Sequence, residues 1–276
     1  MYVVFKTNVS NYIKRMETES YHFPNLKGPC FDSLPYELAG TGHPIFSLFS
    51  FLRPDIIQVL KWRFRYATGH TKNPYAKSRK KILFIPVPKN ASNSFHESLF
   101  GEKFSGGHFS AQFFKRINPK AFEIALKVAV VRNPNDRFSS AINYNKHISK
   151  FLHDREFSKR YLNYQSIDEL VTAINRDGTL FEKVTNHTHF RPQVGYLCDS
   201  NGRVIINLLV SMDALESGID EISRHTGQNY KLNHANRSKN SNSYRLNGRL
   251  RDFYDADFRL WNLVNDHKNG YVWANH

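Results

Sequence analysis

The chain has 276 residues, of which 40% are hydrophobic, and its 39 Lys and Arg against 24 Asp and Glu give a formal charge of +15. This apolar content suffices for the core of one large or two small domains, and the charge excess indicates an anionic partner: a nucleic acid, an acidic membrane, a polysaccharide or a nucleotide. Two cysteines, Cys30 and Cys198, are too few for a disulfide scaffold or a cysteine zinc site.

Residues 1–80 form a segment that is difficult to assign, because Pro and Gly recur throughout its first half. A helix is predicted from Pro54, with Leu60 and Phe64 on an apolar face, and a basic run follows at 77–81. We interpret this segment as an irregular to helical N-terminal extension that packs on the main domain or recognises the acceptor. Basic residues interleaved with aromatic ones also allow contact with a membrane surface or with a nucleic acid.

The residues from 82 to 99 predict a strand, a tight turn and a helix. An apolar run over Ile82–Ile85 ends at two prolines, Lys89 opens a turn rich in Asn and Ser, and helical spacing begins near Ser92. Such a connection presents backbone N–H groups and a helix N-terminus to an anion, although an ordinary strand-to-helix corner would have a similar pattern. The glycines of GxxxxGK[ST] are missing. The predicted anion-binding loop consists of Pro88, Lys89, Asn90, Ala91, Ser92, Asn93 and Ser94.

A second strand, predicted over Lys127–Arg132, leads into another polar turn. Arg132 stands at the carboxyl end of this strand, where open α/β sheets bind ligands. A helix predicted over 135–152, with Ile148 and Leu152 on its apolar face, carries Ser140 in its second turn. The guanidinium and the hydroxyl can therefore converge on a phosphate. The alternative for Arg132 is a structural ion pair, for instance with Asp136. The distance between the two strands along the chain permits a helical crossover, and we expect them to be parallel neighbours.

The remaining residues predict further strands and helices around the same sheet. The predicted elements are a helix opened by a capping box at Ser166, a strand over 203–210, a helix over 214–225 and a last helix over 250–264. His187 and His189 lie two residues apart, as in some metal sites, but no third or fourth ligand is near them in the sequence, and we predict no metal.

The two polar turns together resemble the nucleotide-binding signatures of sulfotransferases that use 3'-phosphoadenosine 5'-phosphosulfate (PAPS). The closer similarity is to the Golgi carbohydrate sulfotransferases and their bacterial relatives. Residues 88–94 resemble the PK-x-x-[ST]-[ST] loop, with Asn93 as a departure, and residues 132–140 resemble RDP-x-x-R-x-x-S, with Asn133 in place of the aspartate. Residues 189–198 and 254–262 are similar to two later segments of the family.

This resemblance implies a P-loop-like α/β sulfotransferase core, a parallel β-sheet flanked by helices, over residues 81–276. The implied reaction transfers a sulfuryl group from PAPS to a hydroxyl of a glycan, a polysaccharide or a lipid-linked sugar. It yields 3',5'-adenosine bisphosphate (PAP) and needs no metal. The predicted PAPS ligands are residues 88–94 with Arg132 and Ser140. Lys89 stabilises the leaving oxygen, and His108 is the predicted base, since histidine titrates near neutrality.

The resemblance also predicts the acceptor site, whereas the location is predicted from the lack of a signal sequence and of a membrane-spanning segment. His189, Arg191 and Gln193 are predicted to line the acceptor site, and the resemblance implies no nucleic-acid partner. We find no secretory signal and no apolar run of about 20 residues, the length that spans a membrane, and therefore expect a cytoplasmic protein. If the chain is a piece of a longer one, the Golgi lumen is the alternative. Peripheral membrane contact through the basic N-terminal segment is a further prediction.

Two other functions are alternatives to the predicted sulfotransferase. A P-loop kinase would share the fold, but the sequence lacks Gly-Lys-[Ser/Thr] and a clear acidic magnesium site at a strand end. A basic protein that binds nucleic acid through residues 61–81 would show steeply salt-dependent binding that is independent of Lys89 and His108.

Overall fold

The computed structural model describes residues 60, 63–64, 82–102, 107–233 and 244–274. The N-terminal extension and its basic run lie outside the described residues, apart from Leu60, Arg63 and Phe64, which are helical. The first and the last of these three, predicted to form an apolar face, are 43% and 63% exposed. Arg63 donates two hydrogen bonds, of 3.2 and 2.7 Å, to the carbonyl of Arg116.

A four-stranded sheet forms the centre of the described structure. Its strands lie side by side in chain order, and they are β1 (Ile82–Ile85), β2 (Leu126–Val131), β3 (Leu208–Ser211) and β4 (Tyr271–Trp273). The first three are mutually parallel and β4 is antiparallel to β3. This confirms an α/β fold with a largely parallel sheet, and it places the carboxyl ends of β1 and β2 next to each other.

Eleven α-helices flank this sheet within the described residues. They are α1 (Ser92–Phe100), α2 (Ala111–Ile117), α3 (Pro119–Ile124), α4 (Pro134–Asn143), α5 (Leu152–Tyr161), α6 (Ile167–Arg176), α7 (Gly178–Asn186), α8 (Val194–Leu197), α9 (Leu215–Thr226), α10 (Gly248–Phe253) and α11 (Asp255–Asn265). A π-helix, Tyr144–Ile148, follows α4, and a short 3-10 helix, Met212–Ala214, follows β3.

Several predicted boundaries are wrong. The helix predicted from 135 to 152 is divided, because the Ser149 N–H bonds to the Tyr144 carbonyl in a π-turn and the backbone then becomes extended. Ile148 and Leu152, predicted to face the core, are 57% and 63% exposed. The strand predicted over 203–210 is regular only from Leu208 to Ser211. The last predicted helix is also divided, into α10 and α11.

Apolar side chains cover both faces of the sheet. Leu83 and Ile85 of β1 belong to the cluster on one face, and Ile82 and Phe84 belong to the cluster on the other. All four are buried, which is why this short strand is apolar without alternation. A third apolar cluster joins α4, α6, α7, α10 and α11 beside the sheet.

The capping box predicted at Ser166 forms in part at the start of α6, because the glutamate bonds to the residue before the N-cap and not to the N-cap itself. The Ser166 hydroxyl accepts a hydrogen bond from the Glu169 N–H, and the carboxylate of that glutamate accepts one from the backbone N–H of Gln165. Within the described residues, no helix combines the length and the apolar character needed to cross a bilayer.

Candidate functional site

The loop between β1 and α1 has an unusual backbone. Lys89 and Ala91 have φ angles of 69° and 54°, the left-handed region that side chains other than glycine seldom adopt. No side chain caps α1 at Ala91. Alternating right- and left-handed residues at a helix N-terminus turn successive N–H groups inward, an arrangement that binds anions. Each such residue costs about 1–3 kcal/mol, and the surrounding contacts must offset this cost.

Buried polar side chains hold the loop in this conformation. Asn90 Nδ2 donates to the Val130 carbonyl at 2.7 Å and to Gln193 Oε1 at 2.8 Å. Gln193 in turn accepts from the Arg132 N–H at 3.1 Å and donates to the Arg132 carbonyl at 2.8 Å. The Ser92 hydroxyl donates to Val87 O at 2.8 Å. The two polar turns predicted from the sequence are therefore joined through one glutamine.

A buried carboxylate fixes the glutamine. Asp257 accepts from the N–H groups of Gln193 and Val194 at 2.8 and 2.9 Å. Burial raises the pKa of Asp257 to about 6, although Arg137 and the two N–H groups oppose the rise. Asp257 lies in the late segment that resembles the sulfotransferase family. This segment therefore stabilises the site through its hydrogen bonds to Gln193 and Val194.

Arg137 is also part of this support. Its guanidinium is buried and donates to the carbonyls of Pro88 and Arg191 at 3.1 and 2.6 Å, with a longer bond of 3.4 Å to that of His189. These acceptors satisfy the donors that burial would otherwise leave without partners. The bonds connect α4 to both the loop after β1 and the segment after α7.

Arg132 leaves the end of β2 and contacts the loop directly. Its Nη1 donates a hydrogen bond of 3.0 Å to the Lys89 carbonyl, while Asp136, the predicted partner of a structural ion pair, interacts with it electrostatically. Burial lowers the pKa of the guanidinium, and Asp136 acts in the opposite direction. Asp213, which follows β3, also acts on this arginine, so two carboxylates share its surroundings. Ser140 is half-buried in the second turn of α4, as predicted.

The Lys89 side chain lies over the face of Tyr144, with Nζ 3.9 Å from the ring centroid. Burial, with a further contribution from Arg132, lowers the pKa of Lys89 to about 8. The ammonium is charged at neutral pH but close to titration. Sequence reasoning missed Tyr144, since its position over the lysine depends on the π-helix that follows α4.

His108 lies beside this lysine. Its Nδ1 is 2.7 Å from the Pro86 carbonyl and therefore carries the proton, which leaves the lone pair on Nε2, the atom that a base requires. Burial and the charge of Lys89 lower the pKa of His108 to about 4. The expectation that this histidine titrates near neutrality is therefore wrong, and at neutral pH His108 is a weak, uncharged base.

Two more histidines and an aspartate adjoin His108. The ring of His189 lies 6.2 Å from the ring of His108 and 5.3 Å from that of His187, measured between centroids. His187 Nε2 lies 3.5 Å from Asp154 Oδ1. Burial of the His189 ring lowers its pKa, and the neighbouring His108 and His187 lower it further. Asp154 comes from the first turn of α5, and no sequence pattern associated it with the two histidines.

The predicted residues thus divide into three groups. Lys89, Arg132, His108 and His189 share one region through the contacts described above. Asn90, Ser92 and Gln193 use their side chains to bind other protein groups, and Gln193 is fully buried, which does not fit a role at the acceptor. Of the remaining predicted residues, Pro88 and Ser94 are buried, Asn93 is exposed, and Ala91 and Ser140 are half-buried. Arg191 is also half-buried, and its Nε donates to the Asn186 carbonyl at 2.9 Å.

The chain was also compared with known proteins. No protein-family model, no curated protein and no solved structure matches it. The fold class is therefore known from the structure alone, and the similarity to sulfotransferases remains a prediction from motifs.

Proposed function

We propose that this protein is a sulfotransferase that moves a sulfuryl group from PAPS to a hydroxyl of a glycan or glycolipid. The observation that carries the proposal is the hydrogen bond of 3.0 Å from Arg132 Nη1 to the Lys89 carbonyl. It brings two cationic residues from the carboxyl ends of adjacent parallel strands to one site. This pair of cations supports a nucleotide site at the edge of the sheet where α/β proteins bind such ligands.

The two anionic ends of PAPS suit different parts of the site. The left-handed turns at Lys89 and Ala91 and the uncapped N-terminus of α1 suit the 5'-phosphosulfate. Arg132 and Ser140 suit the 3'-phosphate, because a guanidinium and a hydroxyl together bind a monoanionic or dianionic phosphate group. The half-buried position of Lys89 strengthens its interaction with the bridging oxygen by excluding water.

The chemistry needs only groups that lie in this region. The acceptor oxygen attacks sulfur while the bond from sulfur to the bridging oxygen breaks, in a loose in-line displacement similar to phosphoryl transfer. The electron pair of the broken bond stays on the 5'-phosphate of PAP, where the Lys89 ammonium stabilises it. The proton of the acceptor hydroxyl passes to His108 Nε2. Bound sulfonate and phosphate add negative charge, which favours protonation of this weak base.

A nucleoside triphosphate is the second candidate ligand, and one observation favours it. Asp136 and Asp213 both act electrostatically on Arg132, so two carboxylates lie near the ends of β2 and β3. Two carboxylates beside a phosphate site can hold magnesium, as kinases require. The sulfotransferase remains the better proposal, because the loop after β1 carries Lys89 and a left-handed backbone but lacks the Gly-Lys-[Ser/Thr] sequence of the kinases.

Calorimetric titration with PAP, and with ATP in the presence and absence of magnesium, tests the proposal. We expect wild type to bind PAP with micromolar affinity and ATP more weakly, and Arg132→Ala to weaken PAP binding at least tenfold. Arg176→Ala, an exposed arginine at the end of α6, is the matched control and should bind as wild type.

Three other results would argue against the sulfotransferase proposal. Tight binding of ATP that depends on magnesium would favour the kinase. Absence of binding by either nucleotide would remove the enzyme proposal. Binding of DNA or RNA that falls steeply with salt and persists in Arg132→Ala would favour the nucleic-acid-binding alternative.

A further inference from the structure

A cluster of three metal-binding residue types lies beside the proposed transfer site. Asp154, His187 and His189 each offer one ligand atom, and these atoms all lie within 4.8 Å of one another. The cluster joins the first turn of α5 to the end of α7 and the loop behind it. The ring of Tyr144 contacts both His189, at 4.8 Å between centroids, and the ammonium of Lys89.

Two buried atoms of this cluster lack a hydrogen bond. Asp154 is 1% exposed and His187 is 9% exposed, and neither Asp154 Oδ1 nor His187 Nε2 has a partner in hydrogen-bond geometry within the described structure, although His153 Nε2 lies 3.2 Å from that oxygen. Each such buried polar atom typically costs about 1–3 kcal/mol. The two atoms lie 3.5 Å apart. A cation between them would satisfy both at once.

Neighbouring side chains hold Asp154 and His187 in place. The Ser149 hydroxyl donates to Asp154 Oδ2 at 2.5 Å, which occupies one carboxylate oxygen and leaves the other for a ligand. Phe157 stacks on the His187 ring at 3.9 Å between centroids, with the two planes 21° apart. Partners that fix ligand orientation in this way are a general feature of metal sites.

We propose that Asp154, His187 and His189 bind a divalent cation of the zinc class. Imidazole nitrogens with one carboxylate are typical zinc ligands, whereas magnesium and calcium prefer oxygen. Zinc–ligand bonds of about 2.0–2.1 Å in a tetrahedron place the ligand atoms about 3.3 Å apart. The distance of 3.5 Å between Asp154 Oδ1 and His187 Nε2 fits this value. His153 Nε2, at 3.2 Å from the same oxygen, is a candidate fourth ligand.

The third ligand requires a change of position and a change of tautomer. The three ligand atoms lie within 4.8 Å of one another, compared with about 3.3 Å in tetrahedral zinc, so the His189 ring must move toward the other two ligands. His189 Nδ1 lies 3.2 Å from the Asn145 amide nitrogen, which also donates to the Ala141 carbonyl at 2.8 Å. A metal on Nε2 moves the imidazole proton to Nδ1, which then needs an acceptor. The buried Asn145 oxygen, which has no hydrogen-bond partner within the described structure, becomes that acceptor if the amide turns over. The bond to Ala141 is lost in exchange, and the Asn145 side chain must also shift so that its oxygen moves away from the Ala141 carbonyl, which now lies 2.8 Å from the amide nitrogen.

A bound cation has a clear consequence for the neighbouring site. Neutral imidazoles and one carboxylate leave a net charge of +1 on a zinc complex, which adds to the positive potential around Lys89. The complex also ties α5 to the loop after α7 and so fixes the edge of Tyr144 against His189. The role assigned here is structural and electrostatic, and the metal takes no part in the transfer step.

Titration of the metal-free full-length protein with Co²⁺ and Zn²⁺, without nucleotide, tests this inference. We expect one Co²⁺ per chain, visible absorption of the strong type given by tetrahedral cobalt, and its displacement by Zn²⁺. His187→Gln and Asp154→Asn should abolish the absorption. Ser149→Ala, which keeps every ligand, should weaken binding about 10–100-fold. His225→Gln on α9 is the control for binding by other histidines and should match wild type.

Folding is checked for each variant by circular dichroism, and His189→Gln replaces Asp154→Asn if the latter does not fold. Wild type that takes up no stoichiometric metal would overturn the proposal, as would binding that is unchanged in all the ligand variants. Because no nucleotide is present, failure here leaves the sulfotransferase proposal untouched, and failure of PAP binding leaves the metal site untouched.

Discussion

Asn90 and Gln193 are 103 residues apart in the chain, and their side-chain amides form a buried hydrogen bond of 2.8 Å. Asn90 belongs to the loop after β1, whereas Gln193 also binds both backbone groups of Arg132 at the end of β2. The geometry of the proposed nucleotide site therefore depends on a residue that cannot itself contact the nucleotide, because it is fully buried.

Replacing this glutamine tests the relationship. Gln193→Leu keeps the volume but leaves the Arg132 backbone without its partners, and we expect the free energy of unfolding to fall by about 3 kcal/mol. PAP affinity should fall with it, since the loop is released. Chemical denaturation and calorimetry measure the two effects. Gln165→Leu, at an exposed position, is the control, and equal stability of the two variants would contradict the argument.

PAP affinity should depend on pH through Lys89, whose pKa is lowered to about 8. The ammonium is charged below this pKa, so affinity should be full at pH 7 and fall as the pH rises above about 8. Lys89→Arg stays charged, since the arginine pKa exceeds about 12, and should remove the fall. Titration of both proteins between pH 7 and 9.5 distinguishes these outcomes, and a parallel decline in the variant would refute the assignment.

The proposed base is tested by a substitution that keeps its structural bond. In His108→Asn, the amide nitrogen can still donate to the Pro86 carbonyl, but no group remains to accept the proton. We expect kcat for sulfuryl transfer to fall by about 10²–10⁴-fold while PAP affinity stays within a factor of two or so. An acceptor found by screening glycans with labelled PAPS supplies the assay. His147→Asn, at an exposed position on the π-helix, should retain full activity.

The packing of α9 on the sheet allows a test of the fold without reference to function. A Cβ at Gly218 would lie 2.3 Å from Val210 Cγ1 on β3, well inside contact distance. Gly218→Ala should therefore destabilise the protein by about 1–3 kcal/mol through overpacking. Gly178→Ala, whose nearest neighbour atom would be 3.6 Å away, should not. Similar melting temperatures for both variants would show that β3 and α9 are packed differently.

The sequence by itself determined the local elements on which the site is built. The apolar runs at Ile82–Ile85 and at 127–131 are buried strands, and each is followed by a polar turn and a helix, as predicted. These features depend on neighbours in the chain: apolar runs, prolines that end strands and residues that cap helices. Parallel pairing then follows from the crossover, which places Lys89 and Arg132 at one edge.

Only the tertiary structure decided which side chains meet there. Asp154 joins His187 and His189 because α5 packs beside the end of α7, and spacing along the chain carries no signal for such a contact. The low pKa of His108 has the same origin, since burial and the charge of Lys89 are properties of the folded site. The residue types for this chemistry can be recognised in the sequence, but their protonation states and partners depend on contacts between distant segments.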